Sequence, residues 1–241
     1  AEKRDMVVIL DLHNYCRRFM NNEHTLIGNN ELTIEDLASF WQAIAKEFST
    51  FKNIYGYGLM NEPHDLAPET KWFDMAQASI NAIREVDTNT LIMVGGNDWS
   101  SAERWIEQSD TLKFLKDPAN NLAFEAHVYF DKDASGTYKY SYEEEECYPE
   151  KGIDRVKPFV EWIKQDKFHG FIGEYGIPDN DPRWNETLDL FLGYLQENGI
   201  NGTYWAAGPW WDTYFMAITP KDGKDRPQMP IIEKYTSTLK K

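Results

Sequence analysis

Ile54-Tyr55-Gly56-Tyr57-Gly58-Leu59-Met60-Asn61-Glu62-Pro63-His64 is a short aromatic and apolar run that stops abruptly at Asn-Glu-Pro. The run predicts a buried strand. Pro63 cannot donate to a ladder and pushes Glu62 away from helical geometry, so the strand ends here and the chain turns outward. Glu62 is thereby expected at the carboxyl end of a strand, the end at which parallel sheets and barrels carry their chemistry. Asn-Glu-Pro by itself fits a solvated turn equally well; the other strands decide between the two.

Upstream, Met6-Val7-Val8-Ile9-Leu10-Asp11-Leu12 is a β-branched run that ends in His13-Asn14-Tyr15. A polar stretch with Asn21, Asn22, Gly28, Asn29 and Asn30 reads as a loop. Thr33-Ile34-Glu35-Asp36 opens a helix with a Thr cap and an acid three residues on, and Leu37, Phe40, Trp41, Ile44 and Phe48 mark its core face. Downstream, a helix carries Trp72, Phe73, Met75, Ile80, Ile83 and Val86. Leu91-Ile92-Met93-Val94-Gly95-Gly96 is a strand ending in Asn97-Asp98-Trp99, and Ser100 to Ile106 reads as a short helical segment. Leu122 to Tyr129 is a strand ending in His127 and Tyr129. A polar loop runs from Asp131 to about Lys151, and its Glu143 to Glu146 run reads as solvated. A helix from Ile153 to Gln165, a strand from Gly170 to Gly176 ending in Glu174, and a helix from Trp184 to Asn198 closed by Gly199 follow. Gly202 to Ala207 is the last strand, with Trp210 and Trp211 in the loop after it, and a helix from Pro230 to Leu239 ends the chain.

The 241 residues suit one large domain, 1–241, with 41% hydrophobic residues to fill its core. A net charge of −15 argues against nucleic acid and anionic membranes as partners. No apolar run approaches the length of a membrane span. Ala1-Glu2-Lys3-Arg4-Asp5 opens the chain without Met and without a signal-peptide pattern, which suits a mature form or a fragment. Cys16 and Cys147 are free to pair or to stay apart. Nine Trp and 13 Tyr exceed ordinary packing needs, so some are expected to present flat faces to a ligand.

Strand and helix alternate six times, which implies parallel strands joined by crossover helices. No glycine fingerprint follows the first strand, so a dinucleotide-binding sheet is excluded. His13, Glu62, Asn97, His127, Glu174 and Trp205 all fall at strand ends. Function spread over many carboxyl ends marks a TIM-barrel-like α/β fold. With six units where a closed barrel has eight, the barrel is expected to be incomplete or completed by an oligomer. Glu62 and Glu174 then form the carboxylate pair that glycosidic bond cleavage needs, one protonated and one ionised. His13, Asn61, His127 and Tyr129 would line the same mouth, with Trp205 as the floor on which a sugar ring stacks. No His-x-His pair or close acidic triad supports a metal centre on His13, His64 and His127.

Leu10-Asp11-Leu12-His13-Asn14-Tyr15, Met60-Asn61-Glu62-Pro63-His64, Gly95-Gly96-Asn97-Asp98-Trp99, His127-Val128-Tyr129-Phe130-Asp131, Gly173-Glu174-Tyr175-Gly176 and Tyr204-Trp205-Ala206 together resemble glycoside hydrolase family 5. Asn-Asp-Trp and Asp131-Lys132-Asp133-Ala134-Ser135-Gly136-Thr137 look most like its fungal and bacterial endoglucanase branch. The resemblance implies Glu62 as acid/base, Glu174 as nucleophile, Asn61 on the sugar 2-hydroxyl, His127 and Tyr129 orienting the carboxylates, and Trp205 as the platform. It adds His13, Asn14, Asn97 and Trp99 to the substrate-binding set, and it implies no metal and no cofactor. It further implies a secreted retaining endo-β-1,4-glucanase acting on β-glucan. The alternatives are a mannanase or xylanase of the same clan, or an impaired fragment that only binds glucan. The chain matches strands three to eight of the family, so the first two units, and the Arg they carry beside the nucleophile, are expected to be absent. Arg17 and Arg18 stand near the first strand end, although the family does not use them. The open edges are expected to take a second copy or a complementing fragment.

Overall fold

A computed structural model describes residues 1–236. The strands and helices follow from the sequence patterns, with boundaries set by where backbone bonding stops. Among the described residues eight strands form: β1 Val8–Asp11, β2 Arg17–Met20, β3 Glu23–Leu26, β4 Ile54–Gly58, β5 Leu91–Gly95, β6 Leu122–Tyr129, β7 His169–Gly176 and β8 Asn201–Tyr204. The helices are α1 Ile34–Phe48, α2 Trp72–Arg84, α3 Trp105–Ser109, α4 Lys151–Asp166, α5 Arg183–Glu197 and α6 Met229–Tyr235. The C-terminal boundary expected at Leu239 lies outside the described residues. Six strands form one sheet in the order β1-β4-β5-β6-β7-β8, with β1 on β4, β4 on β5, β5 on β6 and β7 on β8 all parallel. Sequence neighbours are thus sheet neighbours, the pattern of repeated strand–helix–strand crossovers. Among the described residues no helix is long and apolar enough to cross a membrane.

The chain divides into two compact units. One comprises Ala1–Glu125 with Lys167–His169; the other comprises Ala126–Asp166 and the chain from Gly170 on. In the first, the core is built on three indoles, Trp41, Trp72 and Trp105, each at most 1% exposed. Burying one such ring removes roughly 200 Å² from water, a gross gain of about 5 kcal/mol. The capping box expected at Thr33 forms: Thr33 Oγ1 accepts from Asp36 N–H at 3.1 Å and Asp36 Oδ2 accepts from Thr33 N–H at 2.8 Å. In the second unit, Phe159, Val160, Trp184, Leu188 and Phe191 of α4 and α5 make the core. Gly199 (φ +67) ends α5 with Ile200 N–H bonded back to Leu195 O at 3.0 Å, as a glycine C-cap requires.

Three expectations need correction, and one open alternative is settled. The polar stretch after Tyr15 is a hairpin: β2 pairs antiparallel with β3 around Asn21-Asn22, both left-handed (φ +52 and +65). Asn tolerates that conformation in a two-residue turn. Ser100 to Ile106 is not one helical segment. Asp98, Trp99 and Ser100 form a left-handed turn (φ +52, +56 and +54) before α3 begins at Trp105. The Glu143 to Glu146 run is not uniformly solvated. Glu145 is 3% exposed and accepts from the amides of Lys132 and Tyr140, which the loop would otherwise leave unpaired. Both cysteines are free thiols, Cys16 buried and pushed up to about 12 by that burial, against the opposing charge of Arg17.

Candidate active site

In the first unit the carboxyl ends of β1, β4 and β5 carry the polar groups. Two indoles fix where these strands stop. Trp41 Nε1 donates to Leu59 O at 3.0 Å and Trp72 Nε1 to Gly95 O at 2.7 Å, so each helix holds a carbonyl that lies at or beyond its strand's end. Gly95 is needed there because a Cβ would meet Met60 O at 2.8 Å. The chain leaving β4 passes Met60 and Asn61, both buried, and reaches Glu62, half-buried and left-handed at φ +46.

His13 stands beside Asn61. Its Nδ1 lies 2.9 Å from Asp11 Oδ2, and its Nε2 lies 3.2 Å from Asn61 Nδ2 and 3.3 Å from Tyr15 Oη. With the proton on Nδ1 given to Asp11, Nε2 accepts from both neighbours, which assigns the neutral tautomer. Asn61 Nδ2 is thereby oriented by His13, which Asp11 at the end of β1 and Tyr15 just beyond it hold in place. Asn14 contributes a buried Oδ1 that has no hydrogen-bond partner among the described residues. Sequence reasoning missed the next group, although Pro63-His64 lies in the deciding stretch. His64 stacks on Trp99 (centroids 4.2 Å apart, planes 14°), and Arg17 Nη1 donates to its Nε2 at 2.9 Å while Nη2 donates to its carbonyl at 3.0 Å. Arg17 is thus committed to His64, and Arg18 is exposed on β2.

Trp99, 41% exposed, is presented by the left-handed turn. That turn is held by Arg104–Asp98 at 2.8 Å, by Asn97 N–H on Ser109 Oγ at 2.9 Å and by Asn97 Nδ2 on Gln108 O at 2.9 Å. Non-glycine residues in this conformation cost roughly 1–2 kcal/mol each, a strain that concentrates at functional sites. A cleft of about 440 Å³ borders the turn, lined by Pro63, His64, Trp72, Asn97 and Asp98 among others. Asn97 therefore reaches the cleft, with its amide already engaged by Gln108.

In the second unit the expected nucleophile and its partners come together. Glu174 (8% exposed) accepts from Tyr129 Oη at 2.7 Å, and His127 Nδ1 lies 3.7 Å from the same Oε2. His127 and Tyr129 are two apart on β6 and so face the same side. Trp205 follows β8, its N–H bonded to Tyr175 O at 2.8 Å and its peptide to Ala206 cis. Its ring meets Trp211 edge-on at 4.9 Å. Tyr214 is a member that sequence reasoning did not find. Burial pushes its hydroxyl up to about 12, the Trp205 indole opposes that rise, and the charge of Glu174 adds to it. It lies in an irregular loop beyond β8, where no periodic signal marks it.

Comparisons with known proteins place the chain in a family. The profile of Cellulase (glycosyl hydrolase family 5) matches residues 1–210. Endo-beta-1,4-glucanase B of Emericella nidulans is 35% identical over 193 residues, 78% of this chain and 56% of that protein. Pseudomonas stutzeri endoglucanase Cel5A, solved in complex with cellobiose, is 43% identical with a TM-score of 0.88, over 97% of this chain and 68% of that one. XacCel5A, solved in complex with cellopentaose, is 36% identical with a TM-score of 0.86, over 98% and 75%. The chain spans 56% and 65% of the length of the first two curated relatives. With the family profile matched over residues 1–210 and solved endoglucanases sharing the fold at 36–43% identity, the chain belongs to glycosyl hydrolase family 5, among the cellulases.

Proposed function

We propose that this chain is a retaining endo-β-1,4-glucanase whose two units act as one catalytic domain on β-glucan. Glu62 is the acid/base and Glu174 the nucleophile. Glu62 protonates the leaving glycosidic oxygen while Glu174 attacks the anomeric carbon, forming a glycosyl–enzyme ester. Glu62 then takes a proton from water, which attacks the same carbon and releases Glu174. Such a pair works at a separation of about 5–5.5 Å. Asn61, set by His13, donates to the sugar 2-hydroxyl, and Trp205 supports the ring. His13, Asn14, Asn97 and Trp99 serve neighbouring sugars. The observation that carries this reading is the buried Glu174 with Tyr129 Oη donating to it at 2.7 Å, because a donor on the charged form keeps a nucleophilic carboxylate available. The relatives' names favour glucan over mannan or xylan. A polymer of this kind is met outside the cell, where the protein would act.

The test is reducing-sugar release from carboxymethyl-cellulose by the chain, by Glu174→Gln and by Glu62→Gln. Loss on the order of a thousandfold in each variant is expected. Undiminished release by Glu174→Gln would sink the assignment. Glucan binding without release by the unmodified chain would turn the reading to a glucan-binding fragment.

A further inference from the structure

We propose that Tyr138 is a positioning residue for this site: its hydroxyl ties the strand end carrying Tyr129 to the strand end carrying Glu174, and so sets the hydrogen bond between them. The inference rests on Glu174 being the nucleophile. Tyr138 Oη accepts from Phe130 N–H at 2.9 Å and donates to Gly176 O at 2.6 Å. Phe130 directly follows Tyr129, and Gly176 ends the strand that holds Glu174. One hydroxyl therefore satisfies a donor and an acceptor at the ends of β6 and β7, where such groups would otherwise stay buried and unpaired. The ring is set independently, edge-on to Trp184 at 4.9 Å and 87°. Phenylalanine would keep that packing and lose both ties.

The loop from Asp131 to Tyr138 completes the hold on Tyr129. Asp131, 1% exposed, accepts from the amides of Gly136 at 3.0 Å, Thr137 at 3.0 Å and Tyr138 at 3.2 Å, and from Ser135 Oγ at 3.1 Å. This folds the loop back so that Gly136 (φ +72) lies flat on Tyr129; a Cβ there would sit 2.9 Å from the Tyr129 ring. Arg155 Nη1 also donates to Tyr129 O at 2.5 Å and to Asp131 O at 2.6 Å. Tyr129 is thus held by its carbonyl, its ring face and the following amide, which leaves its hydroxyl aimed at Glu174 Oε2.

The experiment compares the unmodified chain, Tyr129→Phe, Tyr138→Phe and the double variant in two readouts. The first is kcat and KM on a soluble cello-oligosaccharide. Tyr138→Phe is expected to lower kcat about tenfold, the size of one lost hydrogen bond, with KM unchanged. The double variant should be no slower than Tyr129→Phe, because both changes break the same link. The second is the proton NMR signal of the Tyr129 hydroxyl, identified as the downfield signal that Tyr129→Phe removes. Tyr138→Phe should move it upfield or speed its exchange with water. Gly136→Ala, which presses on the Tyr129 ring with both hydroxyls in place, should do the same and serves if Tyr138→Phe does not fold. Additive losses in the double variant, or an unmoved hydroxyl signal, would overturn the proposal. If the unmodified chain hydrolyses nothing while the signal responds as expected, the positioning role stands and the endoglucanase reading falls.

Discussion

Glu62 is held at φ +46, a backbone conformation that an L side chain reaches at a cost of roughly 1–2 kcal/mol and that glycine reaches freely. The strain follows from its position: Met60 O is packed against Gly95, and Pro63 fixes the exit from the strand. The usual order of substitutions should therefore invert here. Glu62→Gly is expected to be more stable than Glu62→Ala by about 1 kcal/mol, with neither hydrolysing glucan. Urea unfolding of the two variants checks this; an alanine variant as stable as the glycine variant would show that the backbone relaxes when the carboxylate goes. The carboxylate's place at a strand end was legible, because Pro63 forbids the strand to continue. Its left-handed backbone was not, since no glycine marks the position and the constraint comes from a strand some thirty residues away. The same holds for Trp99, whose strained turn is built by contacts to Arg104, Gln108 and Ser109.

At the scale of elements, Arg84 on α2 gathers the amino-terminal ends of β5 and β6. It donates to Asp87 O at 3.0 Å and Thr90 O at 2.9 Å before β5, and it pairs with the carboxylate of Asp117 at 2.7 and 3.0 Å before β6. Burial pushes the Asp117 carboxyl up, but Arg84 and the amides of Asn121 and Ala119 outweigh it and hold it below the usual range. Asp87 is lowered likewise, its burial outweighed by Thr90, Asn89 and Tyr57. Folded carboxyls with depressed values contribute stability that is present above their unfolded value of about 3.9 and is lost as pH falls through the folded value. The urea midpoint is therefore expected to fall below about pH 4. Arg84→Met should cost about 3–5 kcal/mol at pH 7, because Asp117 stays buried and charged without its partner. That difference should shrink as pH falls below about 4, where Asp117 becomes protonated in the variant first and the parent's gain is then lost progressively as pH approaches its depressed folded value. An equal difference at both values would remove the ion pair from the account. None of this network was read from sequence, because Asp117 stands 33 residues from Arg84 and each charge alone reads as an ordinary surface group. The elements it joins were legible, since six apolar runs with period-breaking ends admit few topologies. The hairpin of β2 and β3 escaped notice because Arg17 to Leu26 buries little and so lacks the alternation that announces a strand.

For the whole molecule the deciding quantity is charge. The chain carries −15 at neutral pH, which the sequence states outright and which the fold does not alter. Carboxymethyl-cellulose, the soluble substrate that tests the function, is itself a polyanion. Protein and polymer therefore repel at long range, and the repulsion lowers the polymer's concentration near the site before any specific contact forms. Salt removes that barrier: the screening length falls from about 30 Å at 10 mM to about 8 Å at 150 mM ionic strength. The expected outcome is a KM on carboxymethyl-cellulose that drops several-fold across that range while kcat stays constant. A neutral mixed-linkage β-glucan supplies the control. Its KM should not move, because a neutral chain feels no net field and the contacts assigned to Trp99 and Trp205 are stacking contacts, insensitive to salt. A parallel change on both substrates would mean that salt acts on the folded state and not on encounter. A rise in KM with salt on the neutral glucan alone would point to charged groups, Asp98 and Asp65 at the cleft foremost, taking part in binding the sugar directly.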